Sequence, residues 1–236
     1  MKIDLHTHGK STSSKPFLTS DFDKKVAVAI EKGLDAFVQL EHLHASNFFE
    51  FLGHLRVNYT QQHDYYAVDG IKVFVGVEVT VKEKHDIVLV GSVSDIELLT
   101  GHLICGKGYS KTEKTIKRGE INAEELLSIC RGYNLIKILA HPFRHSDTIN
   151  LKGATIKRLD ALEINANEVS NKGEYKERER IERFAAKYGV AVSGGSDAHT
   201  PVRVGCVYSV LENDCSTIEE LRLALQNNKV EINNKK

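Results

Sequence analysis

The sequence of 236 residues has no tryptophan, only three prolines, and no excess of charge of either sign. Its 32 Lys and Arg residues balance 32 Asp and Glu residues, so the net charge is zero. Proteins that bind nucleic acid usually carry a basic excess, and we therefore expect no long nucleic acid as a partner. No apolar run is long enough to span a bilayer, which excludes a transmembrane protein and a membrane partner.

Cysteine is also scarce and carries no motif. The four cysteines form no C-x-x-C pair and are Cys105, Cys130, Cys206 and Cys215. Their scatter excludes a zinc ribbon and a dithiol redox motif. The N-terminus shows no apolar signal segment. Together these features predict reduced thiols in a cytoplasmic protein.

Segments typical of strands and helices alternate along the chain. Short apolar strands are predicted at Lys2–Leu5, Ala36–Leu40, Lys72–Val81, Asp86–Val90, Leu135–Ala140, Ala161–Asn165, Val190–Ser193 and Val207–Val210. Helices are predicted at Ser20–Gly33, Ser46–His63, Ala123–Gly132 and Glu174–Tyr188, with a last helix opened by a capping box from Ser216 to Glu219. This alternation indicates a parallel α/β sheet, open or closed into a barrel. We expect one domain over residues 1–236, frayed at residues 233–236.

Against this background, 11 histidines stand out, and two of them form an H-x-H pair at the N-terminus. His6 and His8 are two residues apart on a predicted strand, so their side chains point to the same side. Two imidazoles on one face can chelate a transition metal. An isolated H-x-H pair also occurs by chance, so this pair alone does not establish a site.

Further residues of ligand type follow other predicted strands. They are Glu41 and His42, Glu78, His85, His141 before Pro142, and Asp197 with His199. For each one alone, a surface or hydrogen-bonded side chain is the better explanation. The carboxyl ends of strands form the edge where sites lie in α/β folds, so their common position favours a metal centre. Imidazole and carboxylate without thiolate suit zinc, manganese or iron, and Glu78 or Asp197 can bridge two ions.

In this order the motifs resemble those of the PHP (polymerase and histidinol phosphatase) family. They are Asp4–His8, Leu40–His42, Gly76–Val79, His85–Gly91, Leu139–Pro142 and Ser196–His199. The resemblance implies a distorted (β/α)7 TIM-like barrel with its metal site at the C-terminal ends of the strands, and hydrolysis of phosphate esters. It implies two or three divalent ions. The first would be held by His6, His8, Glu78 and Asp197, the second by Glu78, His85 and His141, and the third by His42 and His199.

Two positions depart from the family pattern. Residues 9–15 contain no acid where the family commonly supplies a ligand to the third ion. Glu41 stands where the family more often has aspartate before the histidine. We expect the missing acid to affect binding of the third ion. We expect Glu41 to change only how the metal ligands are oriented.

In such a centre a metal-bound hydroxide would attack the phosphoryl group, and His42 or His199 would protonate the leaving oxygen. Cations that can bind the phosphate are Lys10, Arg144 and Arg203, although each can equally be a solvated loop residue. The basic segment Lys107–Arg118 is a flap over an anionic substrate or, more often for such a run, a solvated helix face.

The leading hypothesis is therefore a metal-dependent hydrolase of a small phosphorylated substrate, for which a nucleotide is one candidate. Three alternatives stay open. They are a histidinol-phosphate phosphatase, an amidohydrolase-like enzyme that hydrolyses C–N bonds, and a metal-binding barrel without turnover. The sequence does not determine the native metal or the oligomeric state.

Overall fold

The computed structural model describes residues 1–10, 12, 14–45, 48–105 and 118–233. The strands are β1 Lys2–His8, β2 Ala36–Leu40, β3 Thr60–Gln62, β4 Tyr65–Val68, β5 Ile71–Thr80, β6 Asp86–Gly91, β7 Leu135–Ala140, β8 Ala161–Asn165, β9 Ala191–Gly195, β10 Val207–Val210 and β11 Lys229–Ile232. The helices are α1 Thr19–Glu31, α2 Glu50–Asn58, α3 Val93–Cys105, α4 Ala123–Ile129, α5 Gly153–Ile156, α6 Ala166–Lys172, α7 Glu174–Tyr188 and α8 Ile218–Leu225.

One mixed sheet curls into a nearly closed barrel. The order of strands along the sheet is β11-β10-β1-β2-β5-β6-β7-β8-β9. Strands β3 and β4 form a hairpin, and β4 also pairs with β5. The barrel closes between β1 and the residues just beyond β9, where Thr7 and Ala198 form a parallel bridge. There the His8 N–H donates to Ala198 O at 3.0 Å and the Asp197 N–H donates to His6 O at 2.8 Å. The barrel predicted from the sequence is confirmed.

Successive side chains of strand β5 point alternately toward the surrounding helices and toward the interior of the barrel. Its valines at positions 73, 75, 77 and 79 join the large cluster that the helices cover. Phe74 belongs to a second cluster inside the barrel, together with residues such as Val88 and Ile136. Glu78 has the parity of Phe74 and therefore points inward. The period-two pattern thus delivers one carboxylate to the barrel interior.

Strand β6 differs from the parallel arrangement that the sequence indicated. It pairs antiparallel with both β5 and β7. Only residues 81–85 connect β5 to β6, and a parallel connection needs a crossover of a dozen or more residues. Because β6 runs the other way, its first residue, Asp86, lies at the same edge as the last residues of β5 and β7. Asp86 pairs with Thr80 on one side and Ala140 on the other.

Three local predictions were wrong in detail. Helix α1 spans Thr19–Glu31, so it begins one residue before and ends two residues before the predicted Ser20–Gly33. The predicted helix at residues 46–63 is the shorter α2, followed by strand β3. The capping box of α8 is formed by Thr217 and Glu220, one residue later than predicted.

The predicted basic flap lies outside the described residues except for Arg118, and so do residues 234–236 of the tail. The description of the chain as one domain stays a prediction. Among the described residues, no helix is both long and apolar enough to cross a membrane.

Candidate metal centre

Glu78 lies at the centre of the histidine-rich end of the barrel. Its carboxylate is completely buried. Oε2 lies 2.7 Å from His42 Nδ1, 3.4 Å from His8 Nε2 and 3.7 Å from His6 Nε2. Oε1 lies 3.2 Å from His141 Nε2. One carboxylate therefore contacts four imidazoles that come from three different strand ends.

The most buried cluster combines the N-terminal H-x-H pair with Asp197. His6 Nε2 and His8 Nε2 face each other at 3.0 Å. Asp197 Oδ1 lies 3.1 Å from His8 Nε2 and 3.6 Å from His6 Nε2. These ligand atoms lie within 4.8 Å of one another, as a bound ion requires. With Glu78 Oε2 beside them, they are the four residues expected to hold the first ion.

A second cluster consists of Glu78, Asp86 and His141. Asp86 was not among the sequence candidates, and it reaches this position because β6 starts at the mouth of the barrel. His85 was predicted as the third ligand here. Its Nε2 instead accepts a hydrogen bond from the Asn150 N–H at 3.0 Å. Among the described residues, the structure thus brings Asp86, and not His85, together with the other two.

The third cluster is made of imidazoles alone, from His8, His42 and His199. The His8 ring stacks on His199 with centroids 4.1 Å apart and lies 4.5 Å from the His42 ring. The His42 and His199 side chains are 18% and 35% exposed, so this cluster faces the mouth of the barrel. Among the described residues, this group of ligand atoms includes no carboxylate, although Glu78 contacts His42 and Asp197 lies near His199.

Two carboxylates behind the histidines fix their orientation. Glu163 Oε1 lies 2.8 Å from His6 Nδ1, and Glu163 Oε2 accepts the His141 N–H at 2.8 Å. Glu41 Oε1 lies 3.4 Å from His8 Nδ1 and accepts the His42 N–H at 3.1 Å. A histidine that binds metal through one nitrogen typically donates its other N–H to a carboxylate. His6 and His8 are therefore oriented as metal ligands are.

Glu163 is a functional candidate that the sequence reasoning missed. It lies in the middle of β8, a strand that is buried along its whole length. The signal was a carboxylate inside a buried strand, two residues before Asn165, whose side chain donates to Glu163 Oε2 at 3.0 Å. Gly195 is needed beside it, because a Cβ there would lie 2.7 Å from His6 Cβ and 3.0 Å from Glu163 Cδ.

The chain adopts unusual backbone conformations at two candidate ligands. His141 has φ +30° and Asp197 has φ +53°. A residue before proline usually adopts an extended conformation, and His141 before Pro142 does not. The hydrogen bonds of the His141 N–H to Glu163 and of the Arg144 N–H to His141 O hold it in a turn. Such conformations cluster at functional sites.

The electrostatics of the cluster favour positive charge at its centre. Burial alone raises the pKa of Glu78, but His42 and His6 outweigh it and hold that pKa well below its usual range. Burial lowers the pKa of His8, yet the hydrogen bonds to Asp197 and Glu41 raise it to about 9. The carboxylates thus stay ionised and attract cations, whether protons or metal ions.

The pKa of His199 shifts in the opposite direction from that of His8, although Asp197 Oδ1 lies 3.5 Å from its Nδ1. Burial and then the charge on His8 lower the pKa of His199 to about 4. Its imidazole is therefore neutral at pH 7 and has a lone pair free for a metal.

The contact between Glu78 and His42 tests whether a metal fits. Among the described residues, Glu78 Oε2 and His42 Nδ1 are both buried without a hydrogen-bond partner. They nevertheless lie 2.7 Å apart, a close contact that does not meet the geometry of a hydrogen bond. Two such ligand atoms fit a divalent cation, and the imidazole–carboxylate set suits zinc, manganese or iron.

The three predicted phosphate-binding cations lie in different surroundings. Lys10 is buried, and its Nζ lies 3.6 Å from Glu50 Oε2. The Arg144 guanidinium lies 2.5 Å from Asp197 Oδ2 and also pairs with Glu168. Arg144 is therefore at the metal centre, where it holds Asp197.

Arg203 lies in a 3₁₀ turn, Pro201–Arg203. Lys32, just beyond the C-terminal end of α1, donates to the carbonyls of Val202 and Val204 on either side of it. No contact among the described residues links Arg203 to the metal clusters. The phosphate-binding role of all three cations stays a prediction.

The family model described as PHP-associated matches residues 176–230. No curated protein sequence matches the chain. The fold is similar to that of PsfC from Pseudomonas syringae PB-5123, with a TM-score of 0.79 and 18% identity over 99% of this chain and 91% of PsfC. It is also similar to a protein from Bifidobacterium adolescentis described as a metal-dependent phosphoesterase, with a TM-score of 0.54 and 15% identity over 94% and 95%.

A third similar structure is the lesion-specific endonuclease Q from Pyrococcus furiosus. The TM-score is 0.67 and the identity 22%, over 97% of this chain and 57% of the endonuclease. Another endonuclease Q structure holds a 27-mer duplex with an abasic lesion at its active site.

The endonuclease Q complex corrects one sequence-based expectation. The balanced net charge was taken to disfavour long nucleic acid, but a protein with this fold binds duplex DNA. A DNA strand is bound by the cationic side chains close to it. The net charge of the whole protein is therefore a poor predictor of nucleic-acid binding. The PHP-associated segment and the barrel fold confirm the resemblance to the PHP family that the ordered motifs predicted.

Proposed function

We propose that this protein hydrolyses phosphate esters with two or three divalent metal ions. The observation that supports this most is the convergence of four imidazoles on the buried Glu78 carboxylate, next to Asp86 and Asp197. So many ionisable groups in one dry site would be costly without a cation to balance the carboxylates.

Each part of the site has a role in this proposal. His6, His8, Glu78 and Asp197 hold one ion, and Glu78, Asp86 and His141 hold a second, with His85 kept as a predicted alternative ligand. His8, His42 and His199 hold a third, more exposed ion. Bound ions of this kind lower the pKa of a water to about 7 and polarise a phosphoryl oxygen.

The remaining residues orient the metal ligands or supply a proton to the leaving group. Glu163 and Glu41 fix the rings of His6 and His8, and Arg144 fixes Asp197. His42 lies at the exposed side of the centre, where it or a bound water can protonate the leaving oxygen, whereas the neutral His199 serves as a ligand. Metal-activated water needs no serine or cysteine nucleophile.

The substrate is the part of the proposal that needs the widest test. The protein would be offered p-nitrophenyl phosphate, bis-p-nitrophenyl phosphate, histidinol phosphate, a nucleotide, an abasic DNA duplex and a cyclic amide, each with manganese, zinc or iron. We expect metal-stimulated hydrolysis of at least one phosphate ester. Turnover of the cyclic amide alone would favour the C–N hydrolase, and no turnover of any compound would favour the barrel without activity.

The His141→Ala variant is the matching test of the site. It should abolish the metal-stimulated hydrolysis because it removes a ligand from the second cluster. His102→Ala is the control, since His102 is exposed and contacts only the Tyr133 hydroxyl among the described residues. Equal losses of activity in both variants would contradict the assignment of the site.

The cytoplasmic location stays a prediction from the cysteine pattern.

A further inference from the structure

A basic groove lies beside the second metal cluster. Its cavity measures about 460 Å³ and is lined by Thr80, Val81, Lys82, Lys84, Arg118, Gly119 and His145. Every ionisable side chain in this lining is basic. We call this cavity the hairpin groove, because Lys82 and Lys84 belong to the connection between β5 and β6.

Other cavities of similar size differ in charge. A cavity of about 380 Å³ beside α8 carries Glu212, Asp214 and Glu220. Another, of about 540 Å³, is lined by Glu83 and Glu124 next to Lys152. An anion entering either one would meet carboxylates. The hairpin groove is therefore the better place for a phosphate among these cavities.

A chain of contacts connects the hairpin groove to the metal cluster. Arg118 Nε donates to Thr80 Oγ1 at 3.3 Å, and Thr80 Oγ1 donates to Asp86 Oδ1 at 2.5 Å. Arg118 Nη2 also lies 3.9 Å from Asp86 Oδ2. The carboxylate of Asp86 belongs to the cluster with Glu78 and His141. The groove thus begins at a candidate metal ligand.

The backbone that carries the two lysines is fixed on both sides. The Lys82 N–H donates to Ile121 O at 2.8 Å, and Glu83 accepts the Ala123 N–H at the start of α4. The Val81 N–H donates to His85 O at 2.8 Å across the turn. A ligand that binds here does not have to order the loop, which lowers the entropic cost of binding.

The lysines themselves are available to a ligand. Both Lys82 and Lys84 are exposed. Within the part of the chain that the structure describes, no carboxylate lies within 4.0 Å of either ammonium group. The nearest acid in sequence, Glu83, is engaged with the start of α4. Two positive charges that no described carboxylate neutralises therefore flank the groove.

We propose that the hairpin groove binds a second phosphate group of the substrate, next to the phosphate that is cleaved. The placement of the cleaved phosphate at the metal ions rests on the function proposed above. The groove then selects substrates with neighbouring phosphates, such as a nucleic-acid strand or a nucleoside polyphosphate, over an isolated monoester. Arg118 lies nearest the metals, and Lys82 and Lys84 line the rest of the groove.

Binding of fluorescein-labelled hexathymidylate, followed by fluorescence anisotropy at several salt concentrations, tests the groove directly. The Lys82→Gln/Lys84→Gln double variant should bind roughly tenfold more weakly, and the slope of log K against log salt should fall by about 0.7 per lysine. Lys24→Gln/Lys157→Gln is the control, because it removes the same charge from exposed positions elsewhere. Equal binding by the double variant and the wild type would overturn the proposal.

Competition identifies the source of the second phosphate. Thymidine diphosphate should displace the labelled strand much better than thymidine monophosphate if a polyphosphate is the natural ligand. If only unlabelled hexathymidylate displaces the labelled oligonucleotide, the natural ligand is a nucleic-acid strand. Displacement by both mono- and diphosphate with equal strength would contradict a second phosphate site.

Activity separates the groove from the proposed function. In the double variant, kcat/KM for a dinucleotide relative to p-nitrophenyl phosphate should fall by roughly tenfold. An unchanged ratio in an active enzyme would refute the groove and leave the hydrolase intact. Lysine-dependent binding by a protein that hydrolyses no phosphate ester would support the groove and refute the hydrolase.

Discussion

The buried and the exposed sides of the metal centre are built differently. On the buried side, His6 and His8 each meet a carboxylate through the nitrogen that faces away from the cluster. On the exposed side, His199 instead has its Nδ1 3.1 Å from the Asp197 carbonyl oxygen. His8 belongs to both sides, and its ring separates them.

The difference indicates how tightly each side should hold an ion. A carboxylate behind a histidine fixes the ring and makes its free nitrogen more basic. Water reaches the exposed side, where His199 has a backbone carbonyl instead of a carboxylate behind its ring and is therefore less firmly oriented and less basic. We therefore expect two firmly held ions on the buried side and one exchangeable ion on the exposed side.

Glu78→Gln should have the largest effect, because it removes the charge that both sides share without changing the shape. We expect kcat/KM for an active phosphate ester to fall by more than the ~100-fold typical of residues that only orient ligands. Elemental analysis should show fewer ions per chain. Glu182→Gln, an exposed position on α7, is the control, and a Glu78→Gln enzyme with near wild-type activity would contradict the central role of this carboxylate.

Glu163→Gln should come next, since it weakens only the buried side. Glutamine can still accept the His141 N–H, but it no longer offers a charge to His6 Nδ1. Metal affinity, measured by titration calorimetry, should fall roughly 10–100-fold. Glu179→Gln changes the same side chain at an exposed position. If both variants bind metal equally well, Glu163 does not support the ligands.

His199→Ala should act on the exposed side alone. We expect the loss of one ion per chain while the buried ions stay, because His6, Glu78, Asp86 and Asp197 are untouched. The effect on metal affinity should be smaller than that of Glu163→Gln. Loss of all bound metal from this variant would show that the two sides are not independent.

The smallest effect concerns the stability of the metal-free protein. The pKa of His8 rises from 6.5 to about 9 on folding, so its proton stabilises the fold below pH 6.5. That contribution is lost as the pH rises toward 9, and urea unfolding should show a lower free energy of unfolding at pH 8 than at pH 6.5. Above about pH 8 the buried Lys25, with its pKa lowered to about 8, works in the opposite direction.

Metal should reverse this trend. Bound ions need deprotonated imidazoles, so saturating manganese or zinc should stabilise the protein more at pH 8 than at pH 6.5. A stability that is independent of metal at both values would contradict a metal centre built on His8.

The sequence was sufficient for the candidate ligands at the C-terminal ends of strands. His6, His8, Glu78, His141 and Asp197 could be predicted because strand ends meet at one edge of a barrel, and the structure brings them together. Their distance in sequence does not matter once the strand order is known. The ordered motifs supplied that order through the family resemblance.

The missed residues depend on facts that sequence patterns do not contain. Asp86 joins the site because β6 is antiparallel, and the sequence analysis assumed a parallel sheet. Glu163 lies within a strand, where a single carboxylate among apolar residues does not reveal its partner across the barrel. The basic hairpin groove needed the contact between Arg118 and Asp86, which joins two segments far apart in sequence.

Metal content is the most direct test of the account. Protein purified without chelators would be dialysed against metal-free buffer and its zinc, manganese and iron measured per chain, before and after brief exposure to a weak chelator. We predict three ions per chain at first and two after the chelator, with the exchangeable one restored by added metal. Fewer than one ion per chain at both stages, with none regained on addition of metal, would contradict the metal centre.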